Sequence, residues 1–426
     1  MHKTAGFLIF FMMITAVMRL FIDEIPAWLP GVLASVSITL LISKLLFMQQ
    51  IQSLALVSIG LVCGFLAYSR GVDINIGSFF SKNATLLALF AGVSYLRLIT
   101  MPQLDKEERL PIGKGAYLRT LFGTHLFASV INLSVSTLLT DRLVRNNYLS
   151  RELAVPMTRA IGSAAFWSPF FAAMGVAITY APGASLSALI MQGLPLALAG
   201  LIFTMVAEFR KDESAVDNFV GYPIHFSALW LPTVLFVGVI FFHELKPDWS
   251  IVLLVAGLSF LLTVIVSLIR SPTNVSRQLY KHTVNELPKM SGELTLFFSA
   301  GVFSAGLGQL LVSYNGLLPE VDMSYFTAFS AFISMVLLSI MGIHPLVSIA
   351  AFGAWFSSAQ FDPNVLGFIF LSAWGIGVVA APLSGLNLSL QGRFSLAPAI
   401  FLKWHYKYVL LMIVLVMLEL WFLMKF

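Results

Sequence analysis

The chain has 426 residues, of which 58% are hydrophobic and 11% charged, with a formal net charge of +5 and a single cysteine. A soluble fold carries about 25% charged residues and could not hide this much apolar surface, so a soluble enzyme is excluded and a bilayer is the expected surrounding. The positive excess does not point to nucleic acid, because cytoplasmic loops of membrane proteins hold such charge, and the lone Cys63 rules out a disulfide framework.

Crossing a membrane takes about 20 mostly apolar residues. Runs of that kind lie at 4–22, 27–47, 51–69 and 79–99. The first is followed by no small-residue cleavage pattern, so it reads as a span and not as a removed signal. A polar stretch, 101–116, follows with a poor helical pattern.

Segment 117–150 has the length of two short helices around a polar middle, which predicts a re-entrant hairpin. Asn132, Ser134, Ser136 and Thr137 crowd that middle. Non-helical backbone at bilayer depth survives only when buried in protein or lining a wet cavity. A tip there offers helix N-termini to an anion and free carbonyls to a cation. Back-bonding to helix carbonyls and helix packing are the other uses of such side chains. The next run, 157–179, is interrupted by Ser163, Ser168 and Pro169. Arg159, one turn in, suits either bidentate capture of an anion or snorkelling to the cytoplasmic interface. Run 185–208 and a cytoplasmic linker, 209–222, complete this half.

The second half opens with spans 223–243 and 249–269. Segment 274–292 mixes Arg277, Lys281 and Lys289 with Leu279, Tyr280, Val284 and Leu287. It fits an amphipathic helix on the cytoplasmic surface or a solvated loop. Span 294–316 precedes a second predicted hairpin, 323–360, which reverses at Gly342 and Pro345. His344, between them, is placed to titrate or donate to a substrate, or simply to cap the turn. Run 363–389 is broken by Gly375, Gly377, Pro382, Ser384, Gly385, Asn387 and Ser389. Proline frees a carbonyl, and glycine lets backbone approach a ligand closely. Span 407–425 ends the series.

The expected fold is therefore an all-α polytopic membrane protein with about eleven transmembrane helices and two re-entrant hairpins. With the N-terminus in the cytoplasm, most lysines and arginines fall inside, among them Lys44, Arg97, Lys106, Arg145, Arg210, Arg270, Lys281 and Arg393. Arg19, Arg70, Lys82, Lys246 and Lys425 fall outside, together with the C-terminus. This is the bias of an inner-membrane protein. The halves also resemble each other. Ala91-Gly92-Val93 recurs as Ala300-Gly301-Val302, and Gly162 through Pro169 aligns with Gly375 through Pro382 at nearly the same spacing. By the charge pattern the matching spans run in opposite directions, which predicts an inverted-topology repeat. The domains follow: a first helix at 1–26, a first repeat at 27–208, the linker 209–222, and a second repeat at 223–426.

These motifs resemble those of the ion transporter superfamily, which includes dicarboxylate/sodium symporters, arsenite permeases and the large membrane subunits of tripartite periplasmic transporters. Asn132-Leu133-Ser134 resembles the Asn-Thr hairpin motif of that group. Ser168-Pro169 and Pro382-Leu383-Ser384-Gly385-Leu386-Asn387 resemble its broken-helix motifs, and Leu296 to Val302 resembles the span before its second hairpin. Two departures stand out: Met341-Gly342 replaces the second Asn-Thr, and Trp167-Ser168-Pro169-Phe170 is bulkier than the usual break. The resemblance implies paired hairpins, each followed by a broken helix, around a transport site.

The residues assigned to a substrate or ion site are Asn132, Ser134, Ser136, Thr137, Ser163, Ser168, Gly342, His344, Gly377, Ser384, Gly385 and Asn387. Apart from Glu419, every acidic residue falls in a loop or span end, which argues against a cation/proton antiporter. The expected activity is ion-coupled secondary transport of a small anion, such as a carboxylate, and not an enzymatic reaction. No cofactor is expected beyond a coupling ion, with sodium at the hairpin tips or a proton as the two options. Lipid is the expected partner, and a homodimer is an admissible assembly. The rival readings are the large subunit of a tripartite transporter and a membrane-embedded glycan- or lipid-processing enzyme.

Overall fold

The computed structural model describes residues 1–100, 109–144, 148–211, 213–222, 230–314, 324–356 and 361–425. Several expectations reach beyond these residues. They are Lys106 and the first half of 101–116, Arg145 in the first hairpin segment, the start of 223–243, the end of 294–316, and the outer ends of 323–360. Among the described residues every regular element is helical, and extended pairing is limited to one bridge between Ile112 and Val220.

Among the described residues, seven helical stretches are long and apolar enough to cross a membrane: Phe47–Ser69, Ile76–Ile99, Leu186–Lys211, Ile251–Arg270, Pro272–Val312, Pro363–Phe394 and Ala399–Lys425. The chain thus has the make-up of a helical membrane protein. Other apolar helices are shorter, including His2–Met18, Leu29–Lys44, Tyr325–Ile340 and Pro345–Phe356. The run 157–179 is not one helix. It folds as Arg151–Ala164 and Ala172–Tyr180 with a bent segment between them.

The chain divides into two compact units, each built from both halves of the sequence. The first comprises Met1–Met101, Thr233–Val321 and Ala350–Ala359. Here the helix Phe47–Ser69 lies against Ser291–Val312 at backbone contact. A methyl group on Gly306 would fall 1.9 Å from the Gly60 carbonyl oxygen, so only glycine permits the approach. The expected amphipathic segment is the helix Val275–Asn285, and polar pairs fasten it to protein. His282 Nε2 meets Ser94 Oγ at 3.0 Å, and Thr283 Oγ1 meets Tyr95 OH at 2.6 Å. His2 Nδ1 donates to Val284 O at 3.1 Å. Its buried face is therefore turned to neighbouring helices, while Tyr280 stays exposed.

The second unit comprises Pro102–Pro232, Asp322–Ile349 and Gln360–Phe426. Its centre is the helix Pro363–Ala380. The Asp362 carboxylate accepts from the N–H groups of Asn364 and Val365, and Pro363 occupies the first turn, where its missing N–H costs nothing. Every residue from Val365 to Ala380 is buried. A helix apolar on all sides belongs in such a position. Around it pack Arg151–Ala164, Ala172–Tyr180, Leu186–Lys211, Tyr325–Ile340 and Ala399–Lys425.

One order of elements occurs twice along the chain. It begins with the helix-turn-helix Lys114–Ile131 and Ser134–Leu143, continues through the broken pair at Ala165–Phe171, and ends in the long helix Leu186–Lys211. It recurs as Tyr325–Ile340 and Pro345–Phe356, then Pro363–Ala380 and Gly385–Phe394, then Ala399–Lys425. The linker 209–222 contains the short helix Glu213–Asp217 and is stitched to the base of the first helix-turn-helix. Gly113 N–H donates to Phe219 O at 3.0 Å, and Gly221 N–H donates to Pro111 O at 2.9 Å. Lys114 Nζ lies 2.5 Å from Glu213 Oε1 and holds that carboxyl below its ordinary range.

Candidate functional site

The first tip is built on an unusual backbone. Lys114–Ile131 ends at Asn132, with φ 54° and ψ −137°. Such a conformation costs an L-residue about 1–3 kcal/mol. The Asn132 side chain explains why it persists. Its Nδ2 donates to Phe170 O at 3.1 Å, inside the first break. Ser168 Oγ donates to Ser129 O and accepts from Phe170 N–H at 3.2 Å. Tip and break thus hold each other by side-chain bonds in both directions. Asn132 Oδ1 is left buried with no partner.

The second break repeats this logic. Pro382 supplies no N–H, and the chain extends at Ala381. The helix Gly385–Phe394 then turns back and satisfies the carbonyls the break has freed. Ser384 Oγ donates to Val378 O at 3.0 Å, and Asn387 Nδ2 donates to Val379 O at 3.1 Å and to Ala381 O at 2.9 Å. Gln391 Nε2 donates to Pro382 O at 2.6 Å. Ser384 also caps its own helix by accepting from Asn387 N–H at 3.2 Å. Asn387 is fully buried, and its Oδ1, like that of Asn132, has no partner.

Several expected residues converge on these breaks. A Cβ on Gly385 would lie 3.2 Å from the Leu133 side chain, which brings the first tip to the second break. Gly342, at φ 101°, forms the second tip and faces Leu383. A Cβ on Gly377 would lie 2.7 Å from Pro345 and 2.8 Å from Ser339 Oγ. The two broken helices cross glycine to glycine, since a Cβ on Gly162 would fall 3.2 Å from the Gly375 carbonyl oxygen. His344 sits half-buried beside the second tip, edge-on to Trp374 at 5.5 Å. Its Nδ1 accepts from Leu346 N–H at 3.2 Å, so in the neutral ring the proton is on Nε2.

The remaining candidates stand apart. Ser163 is turned toward the Tyr408 hydroxyl at 3.4 Å, away from the hairpin tips. Ser136 Oγ donates to Leu133 O at 2.6 Å, a back-bond within its own helix turn. Ser134 is half-buried at the start of its helix, and Thr137 is exposed. Arg159 does not snorkel. It is 3% exposed and packed between the Phe203 and Tyr408 rings, because it donates through Nε to His405 Nδ1 at 3.2 Å and through Nη2 to Trp404 O at 3.0 Å.

Three supporting groups have no local signature in the sequence. Trp167 Nε1 donates to His125 Nε2 at 3.2 Å, and His125 Nδ1 donates to Ala160 O at 3.2 Å, which braces the first break from the side. A Cβ on Gly193 would lie 1.8 Å from Phe166 O, so the long helix Leu186–Lys211 touches the break through bare backbone. Arg393 donates to Thr140 Oγ1 at 3.0 Å and pairs with Asp141, which ties the end of Gly385–Phe394 to the first helix-turn-helix.

Chemically, the site offers two complementary surfaces. The amide oxygens of Asn132 and Asn387 are acceptors with nothing to accept, which suits a hard cation or a donor group. The helices Ser134–Leu143 and Gly385–Phe394 begin at the same contact, Leu133 against Gly385, and present N-terminal N–H groups suited to an anion. Neither a family model nor a curated protein matches the chain.

Proposed function

We propose that the protein is a secondary active transporter for a small anion, such as an organic carboxylate, coupled to sodium. The observation that carries this reading is the pair of breaks. At each, an asparagine donates both to hold freed carbonyls and to leave its own oxygen buried and unpartnered. Discontinuous helices with such oxygens are the cation sites of transporters, and their helix N-termini are the anion sites. The proposal includes an inverted-topology repeat over 27–208 and 223–426, about eleven spans with two re-entrant hairpins, and inner-membrane placement with the N-terminus in the cytoplasm. The repeated order of elements and the crossing of Gly162 with Gly375, an aligned pair, favour that repeat.

Uptake into proteoliposomes tests the proposal. Purified protein alone should accumulate at least one member of a panel of mono-, di- and tricarboxylates when an inward sodium gradient is imposed. Accumulation driven equally well by a pH gradient without sodium would remove sodium from the mechanism. Failure of every anion under both gradients would defeat the transport reading for the isolated chain.

A further inference from the structure

A second feature of the same unit lies away from the hairpin tips. Arg159 carries a permanent charge, since a guanidinium does not lose its proton in a protein. Its two hydrogen-bond acceptors, His405 Nδ1 and the Trp404 carbonyl, are both neutral. The histidine is neutral by geometry: Nδ1 accepts from the arginine, so the ring proton sits on Nε2 and faces Thr158 Oγ1 at 3.2 Å. The carboxylate in the neighbourhood, Glu208, is already engaged. Arg151 takes both of its oxygens, Nη1 to Oε2 at 2.8 Å and Nη2 to Oε1 at 2.9 Å, and cancels its charge. Arg159 Nη1 is buried without any partner.

A second unpartnered donor sits close by. The Tyr117 hydroxyl is also buried with no hydrogen bond, and the residue is 2% exposed. Phe209 and Phe219 hold its ring edge-on at 5.5 and 5.1 Å. Tyr117 and Arg159 lie within electrostatic reach of each other, on the helices Lys114–Ile131 and Arg151–Ala164, which pack together. Tyr117 also lines a small surface cleft with Arg151, Glu152, Glu208, Lys211 and Phe219, so its ring borders solvent-reachable space.

A buried cation with only neutral partners costs several kcal/mol, and an unmet buried donor adds to that cost. Two such donors near one uncompensated positive charge describe a site for one kind of ligand. We propose that Arg159 and Tyr117 bind a small anion, of halide or carboxylate size, that supplies the missing counter-charge. The site follows from charge and hydrogen-bond accounting and does not depend on the transport reading.

The test is thermal unfolding of the full-length protein in detergent. Chloride, bromide and acetate would each be titrated at constant ionic strength against a bulky organic sulfonate. A ligand that binds only the folded state raises the unfolding temperature saturably. The wild type should show such a rise, and whether chloride or acetate gives it at lower concentration tells a halide site from a carboxylate site. Arg159→Gln should remove the anion dependence, while Arg159→Lys should keep part of it. Tyr117→Phe should raise the half-saturating concentration about ten- to a hundredfold, the value of one hydrogen bond to a charge. Absence of a saturable rise in the wild type, or an equal rise in Arg159→Gln, would overturn the proposal. If Arg159→Gln does not fold, Tyr117→Phe decides, and an unchanged half-saturation there would overturn it.

Discussion

At residue scale, Asn132 does two separable things. Its side chain bridges to Phe170 O, and its backbone occupies a conformation that glycine would adopt freely. Asn132→Ala loses the bridge and keeps the strain, so its stability should fall by about 2 kcal/mol. Asn132→Gly loses the bridge but relieves the strain, and should stay within about 1 kcal/mol of the wild type. On the proposed function both variants lose uptake. Denaturation and transport measured on the same preparations check this, and an Asn132→Gly protein that still transports would remove the amide from the site. Asn387→Ala leaves the buried Val379 carbonyl without a donor and Ala381 O with the Ser384 N–H alone, so about 1–3 kcal/mol of stability should go with the activity. His344→Gln, by contrast, should retain much of the uptake if sodium and not a proton is coupled. Activity abolished in that variant, alongside accumulation under a pH gradient, would point to the histidine.

The polar and broken places were legible in the sequence at this scale. An amide, hydroxyls, glycine and proline inside apolar runs have few uses at bilayer depth, and they fall at the turns near Asn132 and Gly342 and at the breaks near Pro169 and Pro382. What each side chain touches was not legible. Arg159 reads equally well as an interface residue until His405, 246 positions away, is placed beside it. The sequence likewise says nothing of Arg393 reaching Thr140, because no local period links residues 253 apart. Position along the chain groups Thr137 with the first tip and Ser163 with the first break, while the helix faces they occupy direct them elsewhere.

At element scale, glycines decide which helices can meet the breaks. Gly193 lets Leu186–Lys211 touch Phe166 O, and no side chain fits there. Gly193→Ala should therefore displace the long helix or the break and cost about 1–3 kcal/mol. Gly238→Ala is the control, since its Cβ would meet only Leu258 at an ordinary 3.6 Å. There the better helix propensity of alanine should raise stability by up to about 1 kcal/mol. Similar losses in both variants, by thermal unfolding in detergent, would mean that the close approach at Gly193 is not maintained. Spans were the most legible elements, because an apolar run of membrane length has one common fate. Their interruptions were less so. Run 157–179 folds from Arg151 onward, since Ser150 caps the helix at Leu153 N–H before the apolar stretch begins.

For the whole molecule, the distribution of lysine and arginine predicts orientation. In a background where Cys63 is replaced by alanine, a cysteine at Lys246 should react with a membrane-impermeant maleimide on intact spheroplasts. One at Arg277 should react only after permeabilisation. The opposite pattern would invert the proposed topology. The two compact units are a second large-scale result that the sequence order conceals, since each gathers segments from both halves.

The Arg159–His405 pair also bears on how the protein is made. The arginine leaves the ribosome long before the histidine, and at about 5–20 residues per second the interval is tens of seconds. Throughout that time the nascent chain carries a membrane-bound charge whose acceptors do not yet exist. The final helix, Ala399–Lys425, brings both of them, Trp404 O and His405, so its arrival is the event that lets the second unit close. Chains that stop short of it leave the Arg159 guanidinium without either of its acceptors, an uncompensated cost that a finished chain does not carry.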